Sequence, residues 1–161
     1  MKINRENLEL VNKQVNSCPE TVFDDFDLSI DLKNSGGQLR DELARLTSLC
    51  GNINKLASNA AFLFEQAKAR CDQAEILAWE TLTSHPEYKV LKITAQKKLV
   101  QSLVIEIEGE KTTLVNEKDR LNIYMYLYNR GKDKVKEVAS ILDVGRTLLS
   151  WDKNEVTKGT Y

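Results

Sequence analysis

The chain has 161 residues, 42% of them apolar and 29% charged, which is enough for a real core and excludes both a membrane protein and a disordered acidic tail. Its net charge of −1 carries no global basic excess of the kind that advertises a nucleic-acid partner. Two prolines and seven glycines in so long a chain predict long uninterrupted helices.

Charge is unevenly placed along the chain. Residues 1–33 carry four basic and seven acidic groups (−3), residues 34–83 five and six (−1), and residues 84–161 fourteen and eleven (+3). A polyanion is therefore mildly welcome only in the C-terminal half. Cys18, Cys50 and Cys71 are odd in number and widely spaced, without CxxC pairing, and read as reduced thiols of a cytoplasmic protein. The N-terminus has no apolar signal-peptide core, and no run approaches the ~18 apolar residues a membrane span needs.

Residues 4–16 form a weakly amphipathic helix with Leu8, Val11 and Val15 on one side, ended by Cys18-Pro19. The segment from Val22 to Leu32 alternates acidic and bulky apolar residues. It lies extended across a helical bundle or orders on a protein partner, with Phe23, Phe26, Leu28 and Ile30 as the contacting side chains. Asn34-Ser35-Gly36-Gly37 then makes a hinge.

From Leu39 onward the pattern is regular. Leu39, Leu43, Leu46, Cys50, Ile53, Ala57, Ala60, Phe64, Ala67, Cys71, Ala74 and Ala78 follow a 4-3-4-3 spacing, a heptad seam without polar interruption. The seam predicts a helix from about Gln38 to Leu82, on the order of 65 Å long. Its later positions are mostly alanine, so a neighbouring helix can approach closely there.

Ser84-His85-Pro86-Glu87 has the form of a capping box and predicts a second long helix from near His85. Ile93, Val100, Ile107, Leu114, Leu121 and Tyr128 then repeat every seven residues. Residues 104–115 also read as two short strands around Gly109, because they are rich in β-branched residues. The seven-residue ridge passes through them in phase and favours helix. Gly131 ends this helix, and a final one covers Asp133 to Trp151. The expected fold is all-α: a long antiparallel, coiled-coil-like helical hairpin over 38–131, a helix and acidic arm over 1–37, and a C-terminal helix with a frayed tail over 132–161.

Nothing in the chain assembles a catalytic constellation. His85 stands alone at a helix start, without a nucleophile or carboxylate in its local sequence. Cys50 and Cys71 lie on the apolar seam, and Glu106, Glu108 and Glu110 fall on different faces of a helix. Neither set predicts a metal site. There is no phosphate-binding glycine loop, GxSxG or HExxH. The expectation is a binding protein without enzymatic activity, cofactor or metal.

Binding residues are easier to nominate. Lys68 and Arg70 lie on the first long helix, and Lys89, Lys92, Lys97 and Lys98 follow the connection, opposed locally only by Glu87. Such point charges suit a phosphate backbone. Further on, Tyr126 precedes a basic cluster of Arg130, Lys132 and Lys134, a combination suited to single-stranded nucleic acid because aromatic rings stack on bases without reading sequence.

Residues of about 60–131 resemble the UvsY-type recombination mediators of bacteriophages. The segment Gln66-Ala67-Lys68-Ala69-Arg70-Cys71-Asp72 is similar to that family's Leu-Lys-Ala-Arg-Leu-Asp-Tyr motif, with Ala67 in place of the first leucine and Cys71 and Gln73 in place of the second leucine and the tyrosine. Ser84-His85-Pro86-Glu87-Tyr88 and the following stretch with Ala95, Leu99 and Leu103, up to Asn129-Arg130-Gly131, are similar to segments of small phage proteins in this group. The resemblance implies a homo-oligomeric helical protein of the host-cell cytoplasm that binds single-stranded DNA. It would help load a RecA-like recombinase while displacing a single-strand-binding protein, with Lys68 and Arg70 as DNA contacts.

Two rival readings stand beside it. One is a helical protein–protein adaptor, or an inhibitor of a host enzyme, with no nucleic-acid role. The other is a helix-turn-helix binder of duplex DNA over residues 135–151, with Ala139 in the first helix, Asp143 at the turn and Leu149 in the second. Self-association is expected under each, since a lone hairpin leaves apolar surface uncovered.

Overall fold

The computed structural model describes residues 22–31 and 36–158. Helix α1 spans Gly36–Ser84, α2 Ile93–Ser102 and α3 Leu114–Lys158; strands β1 (Ile105–Ile107) and β2 (Glu110–Thr112) lie between α2 and α3. The all-α class holds, with this strand pair as a small addition. Two compact units form, one from Met1–Ala60 with Leu127–Tyr161 and one from Ala61–Tyr126. Both long helices contribute to each unit.

The heptad seam is the reason α1 exists. Each of its twelve positions from Leu39 to Ala78 is buried or half-buried, while the intervening polar residues are largely exposed. In the first unit Leu39, Leu43, Leu46 and Ile53 of α1 close on Val138 and Leu142 of α3. Each large aliphatic side chain so buried contributes roughly 1.5–3 kcal/mol. Gly131 lies against Ala57, and Gly145 against Leu43, so the helices run antiparallel there.

Residues 26–30 form no helix or strand, and Leu28 is buried in the same core with Phe26 and Ile30 packed on it. Arg45 fixes this segment to α1. Its Nη1 donates to the Asp27 carbonyl (2.9 Å) and its Nη2 to the Ser29 carbonyl (2.7 Å), while Glu42 Oε2 accepts from the Asp31 amide (3.0 Å). Of the two expected roles for this arm, the structure has the one across the bundle. The expected helix over residues 4–16 lies outside the described residues.

In the second unit Cys71, Ala74, Ala78 and Leu82 pack with Val100, Ile105, Ile107 and Leu114. The alanines leave room for the strand pair as well as the helix. β1 and β2 are antiparallel, pairing Ile105 with Thr112, Glu106 with Lys111 and Ile107 with Glu110. Ile105 and Ile107 face the core and Glu106 faces out, the period-two alternation of a half-buried strand. The two turn residues have positive φ, Glu108 at 53° and Gly109 at 82°, the pattern of a type I′ two-residue hairpin turn. Thr113 then caps α3, its Oγ1 accepting from the Asn116 amide (3.2 Å).

Several expectations are corrected. The stretch from His85 to Arg130 is not one helix: a 3-10 turn (Pro86–Val90), α2 and the hairpin precede α3. Residues 105–112 form strands where the seven-residue ridge favoured helix. Ser84 caps nothing downstream; it is the last residue of α1, its Oγ donating to the Thr81 carbonyl (2.7 Å). The following proline holds His85 extended (φ −98°, ψ 113°) and ends the helix. Gly131 does not end a helix, and the expected final helix is the later part of α3. Because α3 is continuous, the helix-turn-helix reading lacks its turn at Asp143.

Candidate nucleic-acid interface

The segment from His85 to Ser102 is anchored on one side and open on the other. Tyr88 and Leu99 pack against the core that buries Val100. Gln96 Nε2 donates to the Tyr88 carbonyl (2.8 Å), tying the 3-10 turn to α2. His85 adds an edge-on ring contact to Tyr88 at 5.6 Å between centroids. The other side chains point outward: Lys89, Lys92, Lys97 and Lys98 are exposed, and so are Val90 (88%), Leu91 and Ile93 (69%). Residues 84–102 hold four lysines against one carboxylate, Glu87, a balance of +3.

Lys68 is exposed on α1. Among the described residues no carboxylate forms an ion pair with Lys68, Lys89, Lys92, Lys97 or Lys98. These ammonium groups present their charge to solvent, where phosphate contacts release counterions.

Arg70 is placed otherwise. Its side chain is only 18% exposed and faces three carboxylates. Nε donates to Glu117 Oε2 (3.1 Å), Nη1 to Glu108 Oε2 (3.4 Å) and Nη2 to Glu110 Oε2. Burial alone would lower its pKa, but Glu117 and then Glu110 outweigh that and raise it. Glu117, 1% exposed, also accepts from Thr112 Oγ1 (2.8 Å) and lies 3.6 Å from Arg120 Nη1. Arg120 Nη2 donates to Glu110 Oε1 (3.3 Å). The hydrogen bond from Arg120, more than the charge of Arg70, holds the Glu110 carboxyl below its ordinary value. A motif centred on Lys68 and Arg70 thus divides into one exposed cation and one engaged cation.

Tyr126 is exposed on α3 in the same unit, Ala61–Tyr126. Arg130, Lys132 and Lys134 belong to the other unit, and each has a local partner. Arg130 pairs with Asp24, Lys132 Nζ lies 5.1 Å above the Tyr128 ring, and Lys134 meets Glu137 at 3.0 Å. Phe23 and Leu28, expected to touch a partner protein, are buried within this chain, and Phe26 and Ile30 are partly so.

Sequence reasoning missed Glu117 and Thr112. Their signal was faint: a single acidic residue in the first turn of a helix whose start was itself misplaced. Glu108 and Glu110 were noticed, but on a helix they point apart and on the hairpin they converge on Arg70.

Among the described residues no group of three or more His, Cys, Asp or Glu side chains is arranged to hold a metal ion. None of the described helices is long and apolar enough to cross a membrane. Compared with protein families, curated proteins and solved structures, the chain matches none.

Proposed function

We propose that this chain is a non-enzymatic single-stranded DNA-binding protein of the recombination-mediator kind, which helps a RecA-like recombinase load. What supports the reading is the segment 85–102, where four exposed lysines, without ion-pair partners among the described residues, stand on a turn and helix anchored from behind by Tyr88, Leu99 and Val100. Lys68 adds a fifth cation and Tyr126 a ring able to stack on a base. The lysines give charge without base-edge readout, which fits a protein indifferent to sequence.

The test is fluorescence anisotropy of a labelled single strand and its duplex across a salt titration. Single strands should bind at micromolar concentration or tighter, with affinity falling steeply with salt. Replacing Lys89, Lys92, Lys97 and Lys98 by Gln should flatten that dependence by about 0.7 per lost phosphate contact. Absence of binding to either nucleic acid at low salt sinks the reading. Recombinase loading is then read as filament assembly on strands already coated by a single-strand-binding protein.

The exposed aliphatic residues Val90, Leu91 and Ile93 favour a second reading, a protein–protein adaptor. Stacking on bases calls for aromatic rings, and these side chains have none. Protein capture that is insensitive to salt and lost in Val90→Ser/Ile93→Ser would support the adaptor instead.

A further inference from the structure

The geometry points to the β1–β2 hairpin as an acidic clasp on Arg70, its Glu108 and Glu110 carboxylates filling the guanidinium positions that a DNA phosphate would take. This rests on the single-stranded DNA reading above. Arg70 is held at two depths. Its Nε is fixed by the sealed Glu117, while Nη1 and Nη2, the fork that grips a phosphate with two parallel hydrogen bonds, meet Glu108 and Glu110. Those two carboxylates are on the surface, with side chains 81% and 52% exposed. Ion pairs at such exposure contribute little net stability, so an incoming polyanion can displace them while Glu117 keeps Arg70 aimed.

The backbone of the turn supports the same assignment. Glu108 is the one non-glycine residue among those described with positive φ, and it takes the first turn position, where Asn, Asp or Gly is usual. A glutamate held in the left-handed region bears a conformational cost that asparagine or glycine would largely avoid. The side chain placed there reaches Arg70. DNA binding would therefore open the clasp and exchange two carboxylates for phosphate oxygens on a guanidinium already oriented.

The test compares four full-length proteins with a fluorescein-labelled oligothymidylate at low salt: the natural chain, Glu108→Gln/Glu110→Gln, that pair with Arg70→Lys added, and Glu65→Gln/Glu80→Gln. The last removes two exposed α1 carboxylates of the same unit and controls for bulk charge. The clasp variant should bind about fivefold tighter, since two weak surface ion pairs no longer compete with the phosphate. The control should gain less than about twofold, its charges being screened, and adding Arg70→Lys should erase most of the gain, since lysine cannot form the fork. If the natural chain binds but the clasp variant binds no tighter than the control, the clasp is overturned and the DNA reading stands. Binding by none of the four overturns both. Should the clasp variant lose secondary structure by circular dichroism, the single change Glu108→Gln, at the more exposed carboxylate, decides instead: a gain above the control supports the clasp, and none overturns it.

Discussion

Gly145 of α3 faces Leu43 of α1 so closely that a Cβ on the glycine would lie 2.4 Å from Leu43 Cδ2. The Leu43 side chain is buried, so it has little freedom to retreat. A helix-interior glycine ordinarily costs about 1 kcal/mol relative to alanine, and here it is kept for the contact it permits. Overpacking a core costs about 1–3 kcal/mol. Gly145→Ala should therefore destabilise the protein by about 1 kcal/mol net, after the helix-propensity gain is subtracted. Gly51 is the control, for no atom lies within 4 Å of its would-be Cβ. Gly51→Ala should stabilise by about 1 kcal/mol. Urea midpoints that move in opposite directions for the two variants would bear this out, and a shared sign would refute it.

Glu117 is sealed beneath Thr112 and Arg70, so removing its carboxylate leaves a guanidinium without its inner partner and the Thr112 hydroxyl with only the longer contact to the Thr113 carbonyl (3.5 Å). Glu117→Ala should cost about 1.5–3 kcal/mol, the range for hydrogen bonds to a charged group rather than for a fully buried pair, because Arg70 retains Glu108 and Glu110. Thermal unfolding followed by circular dichroism measures it. A loss below about 0.5 kcal/mol, typical of a surface substitution, would contradict the arrangement.

Stability should also fall with acid. The Glu110 carboxyl is held below its ordinary value of 4.5, chiefly by the Arg120 hydrogen bond. A depressed folded-state pKa gives stability that is present above the unfolded value and lost as pH falls through the folded one. The urea midpoint should therefore drop as pH is lowered from 4.5, and Glu110→Gln should make that drop shallower. Asp27, lowered by its hydrogen bonds from Ser29, contributes in the same direction starting from 3.8, and persists in the Glu110→Gln protein.

Val90 and Ile93 are exposed, so their removal should not disturb the fold. Val90→Ser/Ile93→Ser should unfold within about 0.5 kcal/mol of the natural chain. If this aliphatic segment mediates self-association, the variant will sediment as a smaller species. Unchanged sedimentation would direct attention to other surfaces.

The sequence announced α1 clearly because every seam position is buried or half-buried, and burial at a 4-3-4-3 spacing has few geometries other than a helix. The second ridge misled for an instructive reason. Val100, Ile107 and Leu114 are indeed buried and seven apart, yet they stand on α2, β1 and α3 in turn. Each meets the same core from a different element, so the spacing recorded burial and said nothing reliable about the backbone between. The alternation of Ile105, Glu106 and Ile107 before Gly109 was the better signal, being local and matched to a turn residue.

Gly131 misled in another way, since it serves close packing against Phe23 and Ala57 instead of a helix end. The exposure of the lysines was legible from their surroundings. The capture of Arg70 was not, because it depends on a hairpin register that a linear reading does not contain.

Arg70 and Glu117 are separated by 47 positions in the chain and joined by a 3.1 Å hydrogen bond. Exchanging Glu117 alone removes the inner partner of Arg70, and exchanging Arg70 alone leaves Glu117, 1% exposed, with Arg120 at 3.6 Å as its remaining cation. In descendants of this sequence the two sites should therefore drift as a pair. A lineage that lost the arginine would be expected to lose the glutamate with it, leaving a covariation between distant columns as the trace of one buried bond.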